Sequence, residues 1–286
     1  MIFHQPVLVK EVIDLFDVKP GHIYFDGTLG HGGHTIEILK LGGIVYGLDA
    51  DPYYLNLATD RIRDLKLDKN FHPILGNFTQ MSQFNNLPVN GILLDLGLNS
   101  HQQLAIGRGF SFNDTESLDM SLNPDSEDIT AEYIVNTYDQ DQLTRLFSKT
   151  TQEKLAKPIA IKIISSRHFK PIKSGKRLAD IVTEVYQSHH LKTKIHPATK
   201  VFLALKITVN QEYVNLKSVL ESSLKLNPNC IISIISFHSG EDRLVKQFIR
   251  THSVTNLTPK PIRPGIAEIH RNPLSRSAIL RSYRID

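Results

Sequence analysis

Apolar runs of strand length alternate with amphipathic segments of helical spacing through the first hundred residues. "GHIYFDGTLG", "GIVYGLDADP", "FHPIL" and "VNGILLDLGL" contain the apolar runs, and "TIEILKLG" and "YYLNLATDRIRDL" follow the first two with helical periodicity. The last run is continuously apolar, which is typical of a strand buried on both faces of a parallel sheet. Strands that alternate with helices predict a doubly wound α/β domain.

The pattern changes after about residue 103. Up to about residue 195 the chain contains a loop, an acidic turn and several helical segments, among them "KLAKPIAIKIISSR" and "GKRLADIVTEVYQSHH". Strand patterns return in "NCIISIISF" and "SAILRSYRI", with a long helix before the first and a short helix between them. We therefore predict an α/β domain in two parts, residues 1–103 and 196–286, interrupted by a helical insert over 104–195.

Composition limits the class of protein. The chain has 286 residues, 41% of them hydrophobic, which is enough for one large domain or for a domain with a smaller partner. The single cysteine, Cys230, excludes an internal disulfide and favours a reducing compartment. The N-terminal residues lack a signal-peptide pattern, and no apolar run approaches the ~20 residues of a membrane span, so we expect a cytoplasmic location.

The charges are segregated along the chain although the net charge is only +4. Residues 113–142 contain nine acids and no Lys or Arg, residues 145–206 contain fourteen Lys or Arg against three acids, and residues 243–286 contain nine against two. Such segregation favours a surface that binds polyanions. A set of solvated helix faces would give the same pattern, and charge alone leaves both interpretations open.

A glycine loop in "YFDGTLGHGGHT" follows the first predicted strand. Asp26 precedes it, and Asp49 lies nineteen residues beyond Gly30, the spacing of an acid that binds a ribose diol. The dinucleotide fingerprint is incomplete, because Thr35 stands where a third small residue is usual. A carboxylate at Asp26 would repel a diphosphate and attract the ammonium group of an amino-acid cofactor. The loop therefore favours S-adenosyl-L-methionine over a nicotinamide dinucleotide.

The two histidines of the loop, His31 and His34, raise the alternative of a metal site. A metal site needs at least one further ligand, and Asp26, the acid that precedes the loop, already has a better role toward the cofactor. We expect no metal here.

The chain resembles the RsmH (MraW) family in a series of motifs that runs from His4 to about Arg281. These include "YFDGTLGHGGHT", "GNF", "GILLDLGLNSHQ", "RGFSF", "HPATKVFLALKI", "SFHSGEDR" and "NPLSRSAILR". The resemblance implies a Rossmann-like S-adenosylmethionine-dependent methyltransferase with an inserted helical RNA-recognition domain. It also implies transfer of a methyl group to N4 of a cytidine in the decoding region of 16S-type small-subunit rRNA.

The resemblance further implies a set of cofactor contacts. The methionine end of the cofactor would lie against the loop, the ribose against the acid after the second strand, and the adenine against the phenylalanine of "GNF". The implied residues are Gly32, Gly33, His34, Asp49, Phe78, Asp95 and Gln102.

Methyl transfer to cytosine N4 needs an acceptor for the N4–H proton, because the amine lone pair is delocalised into the ring. Asp95 is the first candidate for this catalytic role and Asn99 the second. The alternative that Asp95 only binds the cofactor stays open. Ser239 and Asp242 of "SFHSGEDR" predict a helix start. The candidates for RNA contact are Arg108, Lys200, His238 and Arg243, and each arginine is equally compatible with a surface salt bridge.

The implied partner is small-subunit rRNA within the 30S particle, and the sequence leaves a homodimer open. Several motifs depart from the family pattern; for example, Lys200 and Lys206 replace arginines, which keeps the charge and loses bidentate phosphate recognition. A ribosome-assembly or RNA-binding factor of the same fold with weak or no activity is the alternative function.

Overall fold

The computed structural model describes residues 5–84, 86–97, 107–123, 129–150 and 153–286. The chain divides into two compact units, one of Met1–Asn99 with Tyr213–Asp286 and the other of Ser100–Glu212. Within the described ranges, no helix is long and apolar enough to cross a bilayer.

Seven strands form one sheet in the first unit, in the order β3-β2-β1-β4-β5-β7-β6. The strands are β1 Ile23–Asp26, β2 Ile44–Asp49, β3 Phe71–Leu75, β4 Val89–Asp95, β5 Ile231–Ser236, β6 Val254–Asn256 and β7 Ile279–Ile285. Neighbouring strands are parallel from β3 to β5, whereas β7 is antiparallel to both β5 and β6. The strand order reverses between β1 and β4, and ligands of open α/β sheets bind at the carboxyl ends of the strands beside such a reversal. The predicted α/β class is confirmed.

The helices of the first unit cover apolar strands. They are α1 Val9–Phe16, α2 Gly33–Lys40, α3 Pro52–Asp64, α9 Glu212–Ser223, α10 Ser239–Thr251 and α11 Ile266–Arg271. The first residue of α9, Glu212, is assigned to the second unit. The central strands are buried almost throughout, with four consecutive buried residues at the end of β4 before Asp95 and five in β5. Their continuous apolar sequences are therefore explained by packing on both faces of the sheet.

The second unit is helical and has a core of its own. Its helices are α4 Ala131–Thr137, α5 Gln140–Ser148, α6 Glu153–Phe169, α7 Gly175–Ser188 and α8 Thr199–Val209. Buried residues of α8, among them Val201 and Leu205, belong to the same apolar cluster as Phe147 and Ile163. The unit consequently ends at Glu212 rather than at the predicted boundary of 195.

Two predicted helices differ from the observed ones. The long helix predicted before β5 is two helices, because the chain turns at Asn210 and Gln211, where Gln211 has a φ of 49°. The Asn210 side chain holds this turn by accepting from the Leu122 N–H at 2.8 Å and donating to the Met120 carbonyl at 2.9 Å. The short helix predicted between the last strands is the 13-residue α10, followed by β6 and the shorter α11, neither of which was predicted.

Candidate active site

The glycine loop leaves the carboxyl end of β1 and leads into α2. Gly30 and Gly32 have φ angles of 52° and 73°, a region that residues with a Cβ rarely adopt. The Gly30 N–H donates to Asp49 Oδ2 at 2.8 Å, which ties the loop to the end of the adjacent strand β2. The loop thus presents backbone close to the carboxyl ends of β1 and β2.

Asp26 is buried at the start of this loop, with 1% of its surface exposed. Its Oδ1 accepts from the Thr28 N–H at 3.2 Å and its Oδ2 from the Thr35 hydroxyl at 2.8 Å. Burial raises the pKa of the Asp26 carboxyl to about 6, and the two hydrogen bonds oppose the rise. Thr35, the residue that breaks the dinucleotide fingerprint, therefore has a structural role as a donor to Asp26.

Asp49 ends β2 and is held by backbone donors on both carboxylate oxygens. Oδ2 accepts from Gly30, and Oδ1 accepts from the Asp51 N–H at 2.9 Å. Burial raises the pKa of this carboxyl to about 6, against the effect of the two hydrogen bonds. Each oxygen keeps a second lone pair, so the group can still accept a pair of hydroxyl donors.

Asp95 ends β4, the strand that pairs with β1 on the other side of the sheet reversal. Its backbone N–H donates to the Thr28 hydroxyl at 2.6 Å, so Thr28 connects the ends of β1 and β4. The Asp95 Oδ1 atom is enclosed and has no hydrogen-bond partner among the described residues. Burial first, and then the negative charge of Asp26, raise the pKa of Asp95 to about 8, although a hydrogen bond from Gly97 lowers it.

A match to the model of the MraW methylase family covers residues 1–285 of the chain. The chain belongs to the MraW methylase family. A "Ribosomal RNA small subunit methyltransferase H" of Sulfurihydrogenibium azorense is 40% identical over 99% of this chain and 99% of its own. A protein of the same name from Halothermothrix orenii is 37% identical over 98% of each chain. A solved rRNA methylase from Streptococcus thermophilus covers 100% of this chain and 99% of its own with a TM-score of 0.43 and 11% identity, a likeness too distant to bear on fold or function.

Membership of the MraW methylase family confirms the predicted resemblance and the predicted enzyme class, a methyltransferase. It also confirms S-adenosyl-L-methionine as the cofactor. The residues at the carboxyl ends of the strands fit this molecule. Asp49 retains acceptor capacity for a ribose diol, and its Oδ2 accepts from the Gly30 N–H of the glycine loop. The enclosed Oδ1 of Asp95 is an acceptor without a partner among the described residues.

The two histidines of the loop have different surroundings. His34 is buried in α2, and its Nε2 lies 2.9 Å from the Val7 carbonyl oxygen. Burial lowers the pKa of His34 to about 4, so the ring is neutral at physiological pH. The His31 ring packs edge-on against Tyr54, with ring centroids 5.3 Å apart.

Phe78 begins a 3₁₀ turn, Phe78–Phe84, that follows β3. A Cβ at Gly27, the first residue after β1, would lie 2.9 Å from the Phe78 Cβ and 2.6 Å from Leu94 Cδ2. A Cβ at position 27 would overlap both neighbours, so the side chains of Phe78 and Leu94 approach the backbone closely here. Gly27 and Thr28 were not predicted as site residues, although both stand directly after Asp26 in the loop motif.

Two predicted site residues, Asn99 and Gln102, lie outside the described residues. Arg108, in the second unit, donates from Nη2 to the carbonyls of Ser121 at 3.0 Å and Leu122 at 3.2 Å, which gives it a structural role. Lys200 is half-buried near the start of α8 in the same unit, and its carbonyl accepts from the Thr150 hydroxyl at 2.7 Å.

His238 and Arg243 lie at the start of α10 in the first unit. The helix begins at Ser239 with His238 as its N-cap, and the predicted pair of Ser239 and Asp242 does not form the cap. Instead, the buried Glu241 accepts from the His238 N–H at 3.4 Å and lies 3.2 Å from its Nε2. Asp242 pairs with Arg281, at 2.6 Å between Oδ1 and Nε. Arg243 is exposed to solvent.

Proposed function

We propose that this protein transfers a methyl group from S-adenosyl-L-methionine to N4 of a cytidine in the decoding region of 16S-type small-subunit rRNA. The match to the MraW methylase family and the name shared by its relatives support the reaction and the class of RNA. The observation that carries the proposal is Asp95 at the end of β4, beside the sheet reversal, whose enclosed Oδ1 has no partner within the part of the chain that the structure describes.

We assign the cofactor contacts as the resemblance implies. Gly32, Gly33 and His34 line the methionine end, Asp49 binds the ribose hydroxyls and Phe78 lies on the adenine side, while Asp95 and Gln102 complete the pocket. S-adenosylmethionine supplies an electrophilic methyl group on a sulfonium. The neutral His34 ring forms an uncharged wall, which avoids repulsion between an imidazolium and this cation.

The work of the protein on the substrate is to position the amine and to accept its hydrogen bond. The N4 lone pair must point at the methyl carbon, and an oxygen acceptor on N4–H localises that lone pair. Asp95 is suited to this role because its Oδ1 has no other partner among the described residues. Its raised pKa keeps the free carboxyl largely protonated at neutral pH, and a bound cation would favour the carboxylate. Asn99 is the second candidate acceptor.

The helical unit, predicted as residues 104–195 and extending to Glu212 in the structure, is proposed as the RNA-recognition domain. The cationic excess over residues 145–206, fourteen Lys or Arg against three acids, supports this role. The proposed RNA contacts are Arg108, Lys200, His238 and Arg243. A substrate assembled in the 30S particle, a cytoplasmic location and a homodimer are further parts of the proposal.

Calorimetry with purified protein tests the cofactor site. We expect S-adenosylmethionine to bind, Asp49→Ala to weaken binding strongly, and Asp68→Asn, a change at an exposed acid of the first unit, to leave binding unchanged. Equal affinities for the wild type and Asp49→Ala would contradict the assigned ribose contact.

Mass spectrometry of rRNA nucleosides tests the substrate. A strain that lacks the gene should lose N4-methylcytidine from the decoding region and regain it with the wild-type gene. Unchanged N4-methylcytidine in the deletion strain would exclude this cytidine as the substrate. Binding of the cofactor without methyl transfer would favour a ribosome-assembly factor.

A further inference from the structure

The segment over residues 154–179, which contains most of α6 and the start of α7, has basic residues and no acidic ones. It contains eight Lys or Arg and no Asp or Glu. Two of its lysines pair with acids of α7, Lys162 with Glu184 at 2.8 Å and Lys176 with Asp180 at 3.3 Å. Lys170 and Lys173 are exposed and form no ion pair with a described residue. The segment therefore has a local charge that suits a polyanion.

Phe169 is the last residue of α6 and is 88% exposed, the highest exposure among the large hydrophobic residues that the structure describes. His168, also exposed, packs against it edge-on with ring centroids 5.8 Å apart. An exposed aromatic ring beside lysines offers both a face for stacking and charges for phosphates.

The backbone on both sides of Phe169 is anchored. Arg167 donates from Nη1 to the Val135 carbonyl at 2.8 Å, and the Lys170 N–H donates to the Ser166 carbonyl at 3.2 Å. Two hydrogen bonds with the Asn136 side chain, at 2.8 and 2.9 Å, hold the fully buried Ile172. The exposure of the ring is therefore a property of an ordered corner of the chain rather than of a frayed helix end.

We propose that Phe169, Lys170 and Lys173 form a stacking platform for an unpaired nucleotide of the RNA substrate, with the base on the ring and flanking phosphates on the lysines. This inference rests on the proposed function, since it names a contact that the insert makes with RNA. A protein partner is disfavoured because stable protein interfaces have an apolar core depleted of charge, whereas this ring lies among cations.

A tryptophan reporter tests the platform directly, because the chain has no tryptophan of its own. Phe169→Trp in the full-length protein is titrated with single-stranded oligouridylate of about 12 nucleotides, within the usual range of site sizes. We expect the single strand to quench the fluorescence of the introduced indole, and a duplex of the same length, whose bases are already stacked, to quench it little. The matched control is Leu65→Trp, since Leu65 is 49% exposed at the end of α3 and is followed by Lys66; this reporter should not respond.

The salt dependence of binding separates the ring from the lysines. Phe169→Ala and Phe169→Leu should each weaken binding of a labelled oligouridylate about 5- to 100-fold with an unchanged salt slope. Lys170→Gln and Lys173→Gln should each lower the slope of log K against log salt by about 0.7 for each phosphate that the lysine neutralises. Thermal melts check that each variant is folded.

Several outcomes would overturn the proposal: no binding of oligouridylate by the wild type, no quenching of the Phe169→Trp reporter, or equal affinity of the wild type and Phe169→Leu. If the emission of the Phe169→Trp reporter shifts with protein concentration and not with RNA, a second copy of the chain occupies this surface instead. Methyl transfer to small ribosomal subunits, measured in parallel, distinguishes failure of the stacking platform from failure of the proposed function. Transfer without quenching contradicts only the platform, and absence of transfer contradicts the proposed function.

Discussion

The Asp95 carboxyl should release a proton when the protein binds S-adenosylmethionine. With a pKa of about 8, about nine tenths of these carboxyls are protonated at pH 7 in the free protein. A nearby cation lowers a carboxyl pKa by about 1 to 3, and the cofactor brings a sulfonium and an ammonium. If the pKa of Asp95 falls by about 2, the protonated fraction falls to about a tenth, so binding releases about 0.8 proton from Asp95 at pH 7. At pH 9 the same group releases only about 0.1.

Isothermal calorimetry in two buffers of different ionisation enthalpy measures this release. The difference in apparent enthalpy, divided by the difference in ionisation enthalpy, gives the number of protons exchanged. The titration of the cofactor amine and of Asp26 and Asp49 contributes to the total, so the informative quantity is the difference between the wild type and Asp95→Asn. We expect this difference to be about 0.8 proton at pH 7 and close to zero at pH 9, and Asp68→Asn to behave as the wild type.

An equal proton count for the wild type and Asp95→Asn at pH 7 would refute the reasoning. It would mean either that Asp95 is already ionised in the free protein or that the bound cation lies far from it. Binding of the cofactor by Asp95→Asn keeps these outcomes measurable, since an amide still accepts a hydrogen bond at this position.

Further predictions concern the stability of the free protein, measured by urea unfolding. Gly27→Ala should lower the free energy of unfolding by about 1 to 3 kcal/mol because its Cβ would overlap Leu94. Gly265→Ala has open space around it and should cost less, since it loses only the preference for glycine at the N-cap of α11. The free energy of unfolding of Asp95→Asn, relative to the wild type, should rise by about 2 to 3 kcal/mol between pH 6 and pH 9. The reason is that the raised pKa of Asp95 in the folded protein makes its carboxylate unfavourable as pH rises. A difference that stays constant with pH would contradict the raised pKa. The pKa of His34 is lowered to about 4 in the folded protein, so the unfolded chain takes up this proton at a higher pH. The free energy of unfolding should therefore fall by up to about 3 kcal/mol as pH falls from 6.5 to 4, and His34→Gln should lose this pH dependence.

The common location of the three carboxylates was predictable from sequence. Asp26, Asp49 and Asp95 each end a parallel strand, and the carboxyl ends of parallel strands share one edge of a sheet. A reversal of strand order, here between β1 and β4, is a property of the predicted doubly wound class, whereas the alternation of strands and helices does not fix the full strand order.

Contacts that depend on side-chain rotamers or on tertiary packing were not predictable. The Thr35 hydroxyl donates to the Asp26 carboxylate and the Thr28 hydroxyl accepts from the Asp95 backbone N–H, but a threonine in a loop motif does not reveal its partner. Arg108 resembled a surface cation in sequence, but its guanidinium binds backbone carbonyls of its own unit. Asn210, which holds the turn between α8 and α9, does so through a segment some ninety positions earlier in the chain.

Methyl transfer with purified components tests the central claim most directly. Small ribosomal subunits from a strain that lacks the gene are incubated with this protein and S-adenosylmethionine that carries a labelled methyl group, and the rRNA is then digested and analysed by mass spectrometry. We expect the label in N4-methylcytidine of the decoding region, with the transfer strongly reduced by Asp95→Ala, which removes the acceptor, and unaffected by Asp68→Asn. Label on another nucleoside, on ribosomal protein or on nothing at all would contradict the proposed function.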